Sequence, residues 1–291
     1  MTAEQEASNR SVGVVLEGGG MRGLYTAGVI DVWMEQGITA TATVGVSAGA
    51  VFGCNFKSEQ VGRVLRYNTR FCTDKRYASL GNLLRTGDLY SLDFAWREVP
   101  LKLDVFDADT FAANPMRFTV VCTDINSGEP VYFDTMKGDV EDIDWMRASS
   151  SVPMFARPVE LGGYELLDGG IADPIPVQWM LGQGCDRNVV VLTQPAGYRK
   201  EPNKFMPILK LWYRKYPAFV QRLADRHVRY NKALGEIELL ERAGKIFVIR
   251  PSESVKAPIS VSDPSVLEHN YEIGRRDAEA TLDALRSYLE G

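Results

Sequence analysis

Residues 12–50 read VGVVLEGGGMRGLYTAGVIDVWMEQGITATATVGVSAGA, and this stretch decides the fold. Two short apolar runs, Val12 to Leu16 and Thr41 to Val46, each end in a glycine-rich turn that opens into a helical pattern. A short, β-branched run without alternation is the pattern of a central strand buried on both faces. Between the runs, Val29, Ile30, Trp33 and Met34 recur on one helical face, and Gly37 supplies the stop. Small Ala27 and Gly28 would let this helix lie close to the second turn. Strand, helix and strand then form a right-handed crossover between parallel strands. The ligand crevice should lie beyond the strands' C-terminal ends, where both glycine turns sit.

The second turn, Gly45-Val46-Ser47-Ala48-Gly49, is a G-x-S-x-G elbow. A sharp strand-to-helix turn lifts the serine hydroxyl to where a substrate can reach it. The first turn, Gly18-Gly19-Gly20-Met21-Arg22-Gly23, also fits the dinucleotide pattern G-x-G-x-x-G. A nucleotide-binding protein is therefore an alternative. It requires an acidic residue about 20 positions on to hold a ribose. Thr41, Thr43 and Ser47 stand in that region, while Asp31 and Glu35 fall inside the intervening helix. An oxyanion hole is the better reading, with the N–H groups of Gly19, Gly20 and Arg22 aimed at a developing alkoxide and that of Ala48 beside them. The Arg22 guanidinium also suits an alkoxide or a substrate phosphate.

A third piece, Asp168-Gly169-Gly170, follows the strand-like run Tyr164 to Leu167. GGGMRG, GVSAG and DGG in that order, with ASSSVPMFARPV over Ala148 to Val159, resemble the patatin-like phospholipase family. The resemblance covers Val12 to Leu192. It implies a three-layer α/β/α fold with a mostly parallel sheet, and a serine acyl hydrolase with a Ser-Asp dyad. Ser47 would be the nucleophile and Asp168 its base, cleaving acyl esters of lipids or phospholipids. The chemistry agrees, because a serine hydroxyl needs a base and a carboxylate within hydrogen-bond reach can serve.

The other candidates are weaker. A Ser-His-Asp triad would have to use His227 or His269, and both fall in helical patterns, not in a loop after a strand. Ser149 to Ser151 lack a glycine elbow. Asp124 ends a strand and more often caps a turn. A non-catalytic lipid-binding protein is the remaining alternative.

The totals set bounds. The chain of 291 residues suits one large α/β domain or two small ones, and a net charge of -5 argues against a nucleic-acid binder. Residues 1–10 are polar and read as a disordered leader without a signal peptide, leaving 11–291 as one hydrolase domain with a helical C-terminal part. No apolar run is long enough to span a membrane. Four scattered cysteines show no zinc spacing, so reduced thiols, a cytoplasmic location, no metal and no cofactor are expected.

Two segments remain. Residues 75–103 could cap the site through Leu80, Leu83, Leu84, Leu89, Tyr90, Leu92, Phe94 and Trp96, either as a mobile lid or, the better reading, as short helices packed on the core. Tyr198 to Tyr230 carries nine basic residues against Glu201 and Asp225, with apolar residues at helical spacing. The better reading is that the aromatic face packs on the core and the charges are solvated; the alternative is peripheral contact with an anionic membrane surface at the inner face. Acyl-chain length, the position cleaved and oligomeric state are not legible.

Overall fold

The computed structural model describes residues 10–256 and 263–291, so the expected leader lies outside it but for Arg10. β1 (Val12–Leu16) leads through the glycine turn into α1 (Gly23–Glu35), and β2 (Ala42–Val46) leads through Ser47 into α2 (Ala48–Lys57). Next come α3 (Arg63–Phe71), α4 (Leu80–Thr86), a π-helical stretch over Phe94–Leu103, and α5 (Ala108–Ala113). β3 (Arg117–Asp124) and β4 (Pro130–Thr135) form a hairpin, and α6 (Val140–Ser149) precedes β5 (Val159–Leu161) and β6 (Tyr164–Asp168). After α7 (Val177–Leu181) and β7 (Arg187–Val191) come α8 (Met206–Trp212), α9 (Pro217–Arg242), β8 (Phe247–Ile249) and α10 (Pro264–Glu290).

The strand order is β5-β6-β3-β2-β1-β7-β8, with β4 also paired to β3. The run β3-β2-β1-β7-β8 is parallel, while β4, β5 and β6 are antiparallel additions at the β3 side. Alternation along the strands builds two apolar layers. Val14 and Leu16 face Val29, Ile30 and Trp33 of α1 and Ile273 and Leu285 of α10. Val15, Val44 and Val190 face Met180 of α7 and Tyr230, Leu234 and Ile237 of α9. The result is the expected three-layer α/β/α arrangement with a mostly parallel sheet.

α1 departs from the single apolar face its sequence suggests, because every residue from Gly23 to Trp33 is buried. α10 covers its outer side. A Cβ on Gly274 would come 2.0 Å from the Tyr25 carbonyl oxygen, and one on Gly28 would come 2.2 Å from that of Tyr271. Gly28 therefore serves the crossing with α10 and does not approach the elbow. Ala27 does pack toward it, with Ala48 and Phe52, and Gly23 lies against those two side chains.

Residues 75–103 form short helices, as the packing reading expects. Tyr77, Phe94 and Val99 are buried with Phe52 and Tyr67, and Leu89 is also buried, whereas Leu84 of α4 is 88% exposed. Asp124 takes the turn-capping role, accepting hydrogen bonds from the N–H groups of Asn126 and Ser127 and from the Ser127 hydroxyl.

The helix crossing makes a stability prediction. Gly274→Ala forces a methyl into the α1 backbone and should cost about 1–3 kcal/mol, the usual range for overpacking. Chemical denaturation of the two proteins measures it, and an unchanged midpoint would show that α1 and α10 are not in this contact.

Candidate active site

Ser47 joins β2 to α2 with φ 55° and ψ −120°, a left-handed conformation rarely adopted outside glycine. The surroundings hold it there. Its N–H donates to Ser149 Oγ at 2.9 Å, and the Ser149 hydroxyl donates to the Val121 carbonyl at 2.6 Å. Ser149 is thus a buried brace for the elbow. Close packing also requires Gly49, where a Cβ would lie 2.3 Å from the Leu16 carbonyl oxygen. Gly45 packs against the backbone of Gly49 and Ala50, and Gly18 packs against Ser47 itself.

The Ser47 hydroxyl donates to Asp168 Oδ2 at 2.6 Å. Strand register explains the meeting. Val46 is opposite Val121 on β3, and the next β3 residue, Cys122, is opposite Asp168 on β6. Oδ1 accepts the Gly170 N–H at 2.7 Å, and the Asp168 carbonyl accepts from Thr123 Oγ1 at 2.8 Å. Gly169 is pressed against β3, where a Cβ would meet the Val121 carbonyl oxygen at 2.0 Å. Burial raises the Asp168 carboxyl above its ordinary value, opposed by the Ser47 hydrogen bond, the Arg226 charge and the Gly170 N–H.

Neither histidine joins this pair. His227 Nδ1 lies 3.0 Å from the Ala224 carbonyl within α9, and His269 is exposed on α10. In the first turn, the Arg22 N–H donates to the Gly19 carbonyl at 3.2 Å and closes a tight turn, which corrects its expected role as an oxyanion donor. Among the described residues the N–H groups of Gly19, Gly20 and Ala48 have no backbone partner. The Arg22 side chain is half-buried, and its Nε is buried without a hydrogen-bond partner.

The turn is anchored from below by Glu17. This buried carboxylate accepts from the Tyr230 hydroxyl and the Thr193 N–H, both at 2.6 Å, while Thr193 Oγ1 donates to the Gly18 carbonyl at 3.1 Å. Sequence reasoning missed this brace. It also missed Arg226, whose Nε donates to the Gly170 carbonyl at 2.5 Å, and Arg229, which donates to the Ile171 carbonyl at 2.8 Å. Arg222, Arg226 and Arg229 share one face of α9, and that spacing was the available signal.

A cavity of about 330 Å3 opens beside Ser47, Gly19, Gly20 and Arg22. Its walls are mainly apolar, with Phe52, Tyr67, Tyr90, Leu92, Trp96 and Phe155. A mainly apolar cavity of this size with a few polar groups in its wall suits an amphiphilic ligand. Among the described residues there is no group of three His, Cys, Asp or Glu placed to hold a metal. Nor is any helix there long and apolar enough to cross a membrane.

Fold and site together define a parallel-sheet α/β protein with a serine elbow above an apolar cavity. Residues 14–180 match the family of patatin-like phospholipases, and 216–290 match a domain of unknown function, DUF6363. The chain is 30% identical over 271 residues to the uncharacterized protein YjjU of Escherichia coli K12, covering 91% of this chain and 75% of that one. It is 26% identical over 297 residues to the lysophospholipase NTE1 of Candida glabrata, covering 96% of this chain but 16% of that protein. Among solved structures, VipD from Legionella pneumophila aligns with TM-score 0.49 and 15% identity, over 94% of this chain and 67% of that one. The chain belongs to the patatin-like phospholipase family, and lipid ester hydrolysis is the class of activity that membership carries.

The buried carboxyl generates a prediction. With its folded value raised, Asp168 favours folding most when protonated; that contribution is complete below its unfolded value and is lost as pH rises through the folded one. Asp168→Asn should therefore raise the melting temperature at about pH 8, with the gain shrinking toward about pH 4. A variant less stable at high pH than at low, relative to the parent, would mean the carboxylate is stabilising.

Proposed function

We propose that the chain is a serine acyl hydrolase acting through an acyl-serine intermediate with a Ser47–Asp168 dyad. The 2.6 Å hydrogen bond from the Ser47 hydroxyl to a buried carboxylate carries the reading. Ser47 Oγ attacks the ester carbonyl carbon while its proton passes to Asp168 Oδ2. The carbonyl oxygen becomes an alkoxide facing the N–H groups of Gly19, Gly20 and Ala48. Such donors typically contribute about 3 kcal/mol each to transition-state stabilisation. Collapse of the tetrahedral species breaks the bond to the leaving alcohol, which takes the proton from Asp168. Water, deprotonated by the same carboxylate, then attacks the acyl-serine, the acyl–Oγ bond breaks, and Asp168 returns the proton to Ser47 Oγ as the acid is released. The acyl chain occupies the apolar cavity.

Ser47→Ala should abolish labelling by a fluorophosphonate and abolish hydrolysis. Asp168→Asn should lower kcat by about 100-fold or more, because an amide cannot accept the proton, while His227→Ala and His269→Ala keep most activity. The acid limb of kcat/KM should lie above the ordinary aspartate range, since burial raises the base. A histidine variant as inactive as Asp168→Asn would replace the dyad with a triad.

We also propose peripheral contact with an anionic membrane through α8. The prolines at 207 and 217 stand in the first turns of α8 and α9, so the segment 198–230 is divided between two helices, and Arg226 and Arg229 of α9 turn inward. α8 and the residue before it nevertheless leave Phe205, Ile208, Leu211 and Trp212 exposed, Trp212 at 58%, with Lys204, Lys210, Arg214 and Lys215 around them. Leu209 and Tyr213 on the inner side pack with Met154, in a loop whose Val152, Phe155 and Ala156 line the cavity. An apolar patch rimmed by cations suits an anionic interface, where each basic residue contributes about 1 kcal/mol, screened by salt. Lys210→Glu with Arg214→Glu should weaken binding to phosphatidylglycerol vesicles, and raised salt should do the same. Binding that ignores both would remove the membrane role from α8.

A further inference from the structure

The cavity beside Ser47 is not apolar throughout. The phenols of Tyr67, Tyr77 and Tyr90 line part of its wall, with Arg63 and Cys54. They lie away from the reacting groups. Along α2 a rise of about 1.5 Å per residue carries Cys54 about 10 Å from Ser47. Arg63 is tied to that end of the helix, because its Nη1 donates to Asn55 Oδ1 at 3.1 Å, and its guanidinium carbon lies 5.2 Å from the centre of the Tyr67 ring. The Tyr77 and Tyr90 rings meet edge to face at 5.4 Å. Their segments are fixed to each other, since the Ser91 N–H donates to the Tyr77 carbonyl and the Ser79 N–H to the Leu89 carbonyl, both at 3.1 Å.

The polar atoms of this group are unequally used. The Tyr77 hydroxyl donates to Asn68 Oδ1 at 3.3 Å, and Asn68 Nδ2 donates to the Val64 carbonyl at 2.9 Å. Arg63 spends its charge on Asp104, with Nε 3.4 Å from a carboxylate oxygen and Nη2 2.8 Å from the carbonyl. The Tyr67 and Tyr90 hydroxyls differ. Among the described residues neither donates to a protein acceptor, and neither oxygen is walled off by protein. Tyr67 is only 6% exposed, and burial alone pushes Tyr90 up to about 12. A buried donor left without an acceptor is costly. Two of them at one end of a mainly apolar cavity fit a ligand that brings an oxygen there. Because Asp104 already neutralises Arg63, a neutral oxygen fits better than a carboxylate.

We propose that Tyr67 and Tyr90 form a polar end to the acyl site, and that the preferred acyl chains carry a hydroxyl several carbons from the ester. The hydroxyl oxygen accepts from the two phenols, while the apolar stretch between it and the ester carbonyl lies against Phe52, Leu92 and Trp96. This inference rests on the acyl-hydrolase reading for which end of the ligand faces Ser47, but the polar end itself does not.

The test uses nitrophenyl esters from hexanoate to dodecanoate and their ω-hydroxy counterparts, all below their micelle concentrations, so that the hydroxyl moves along the cavity with chain length. The ratio of kcat/KM, hydroxylated over unsubstituted, should peak at one length and favour the hydroxylated ester there by about tenfold. Tyr67→Phe with Tyr90→Phe should remove that peak, and Tyr164→Phe, at an exposed tyrosine outside the cavity, should leave it. The double variant should melt no lower than the parent, because it deletes hydroxyls for which the fold supplies no acceptor. In parallel, Ser47→Ala protein is titrated calorimetrically with ω-hydroxydecanoate and with decanoate, with and without the two phenylalanine substitutions. A ratio without a peak, or a peak that survives Tyr67→Phe with Tyr90→Phe, overturns the proposal. So does a double variant that melts lower than the parent, since the hydroxyls would then serve the fold. Equal binding of the two acids beside normal ester hydrolysis keeps the hydrolase and removes the polar end. Tighter binding of ω-hydroxydecanoate that depends on the two tyrosines, in a protein that hydrolyses no ester of the series, keeps the polar end and removes the hydrolase reading.

Discussion

The hydrogen bond between Ser47 and Asp168 is the constraint to which the surrounding structure is fitted. Its two residues come from β2 and β6, which do not touch, because β3 lies between them. Their separation is therefore set by two independent registers, β2 on β3 and β3 on β6. A one-residue slip in either would turn a side chain to the opposite face of the sheet. Gly169 pressed on the Val121 carbonyl and Thr123 holding the Asp168 carbonyl both fix the second register where it matters.

The same economy appears in the backbone. Ser47 sits in a strained conformation, which costs on the order of 1–3 kcal/mol. Ser149 satisfies its N–H, the glycines permit α2 to start close under β1, and the charge on Asp168 is met by the Ser47 hydroxyl, Arg226 and the Gly170 N–H. The site is thus held by parts of the chain far apart in sequence. Helix α9 reaches it with Arg226 and Arg229, and Tyr230 supports the glycine turn through Glu17.

Much of this was legible in the sequence. The β-branched runs and the glycine motifs pointed to the parallel sheet and the elbow, because backbone conformation and close packing demand those residue types locally, whereas the pairing of Ser47 with Asp168 was expected from the family resemblance. What failed was reasoning about partners distant in sequence. α1 looked amphipathic because its polar-side residues, Thr26 and Asp31, gave no hint of the cover that α10 provides. The arginines of α9 looked like a solvated or membrane-facing stripe because charge alone does not reveal an inward carbonyl. Arg22 looked like a backbone donor, and only the geometry of the turn shows that its N–H is spent within it. Ser149 ends α6 with its side chain turned inward, while the Ser150 and Ser151 hydroxyls donate back to the Arg147 carbonyl, a difference no local pattern encodes.

The central claim is that chemistry passes through a covalent acyl group on Ser47 with no histidine in the proton path. Rapid-quench mass spectrometry of the intact chain during turnover of an activated acyl ester, followed by peptide mapping, tests it most directly. The account predicts an acyl mass increment on the peptide containing Ser47 that appears and decays at rates compatible with turnover. Turnover with no acylated peptide, or with the acyl group on another residue such as Ser150 or Ser151, would contradict it.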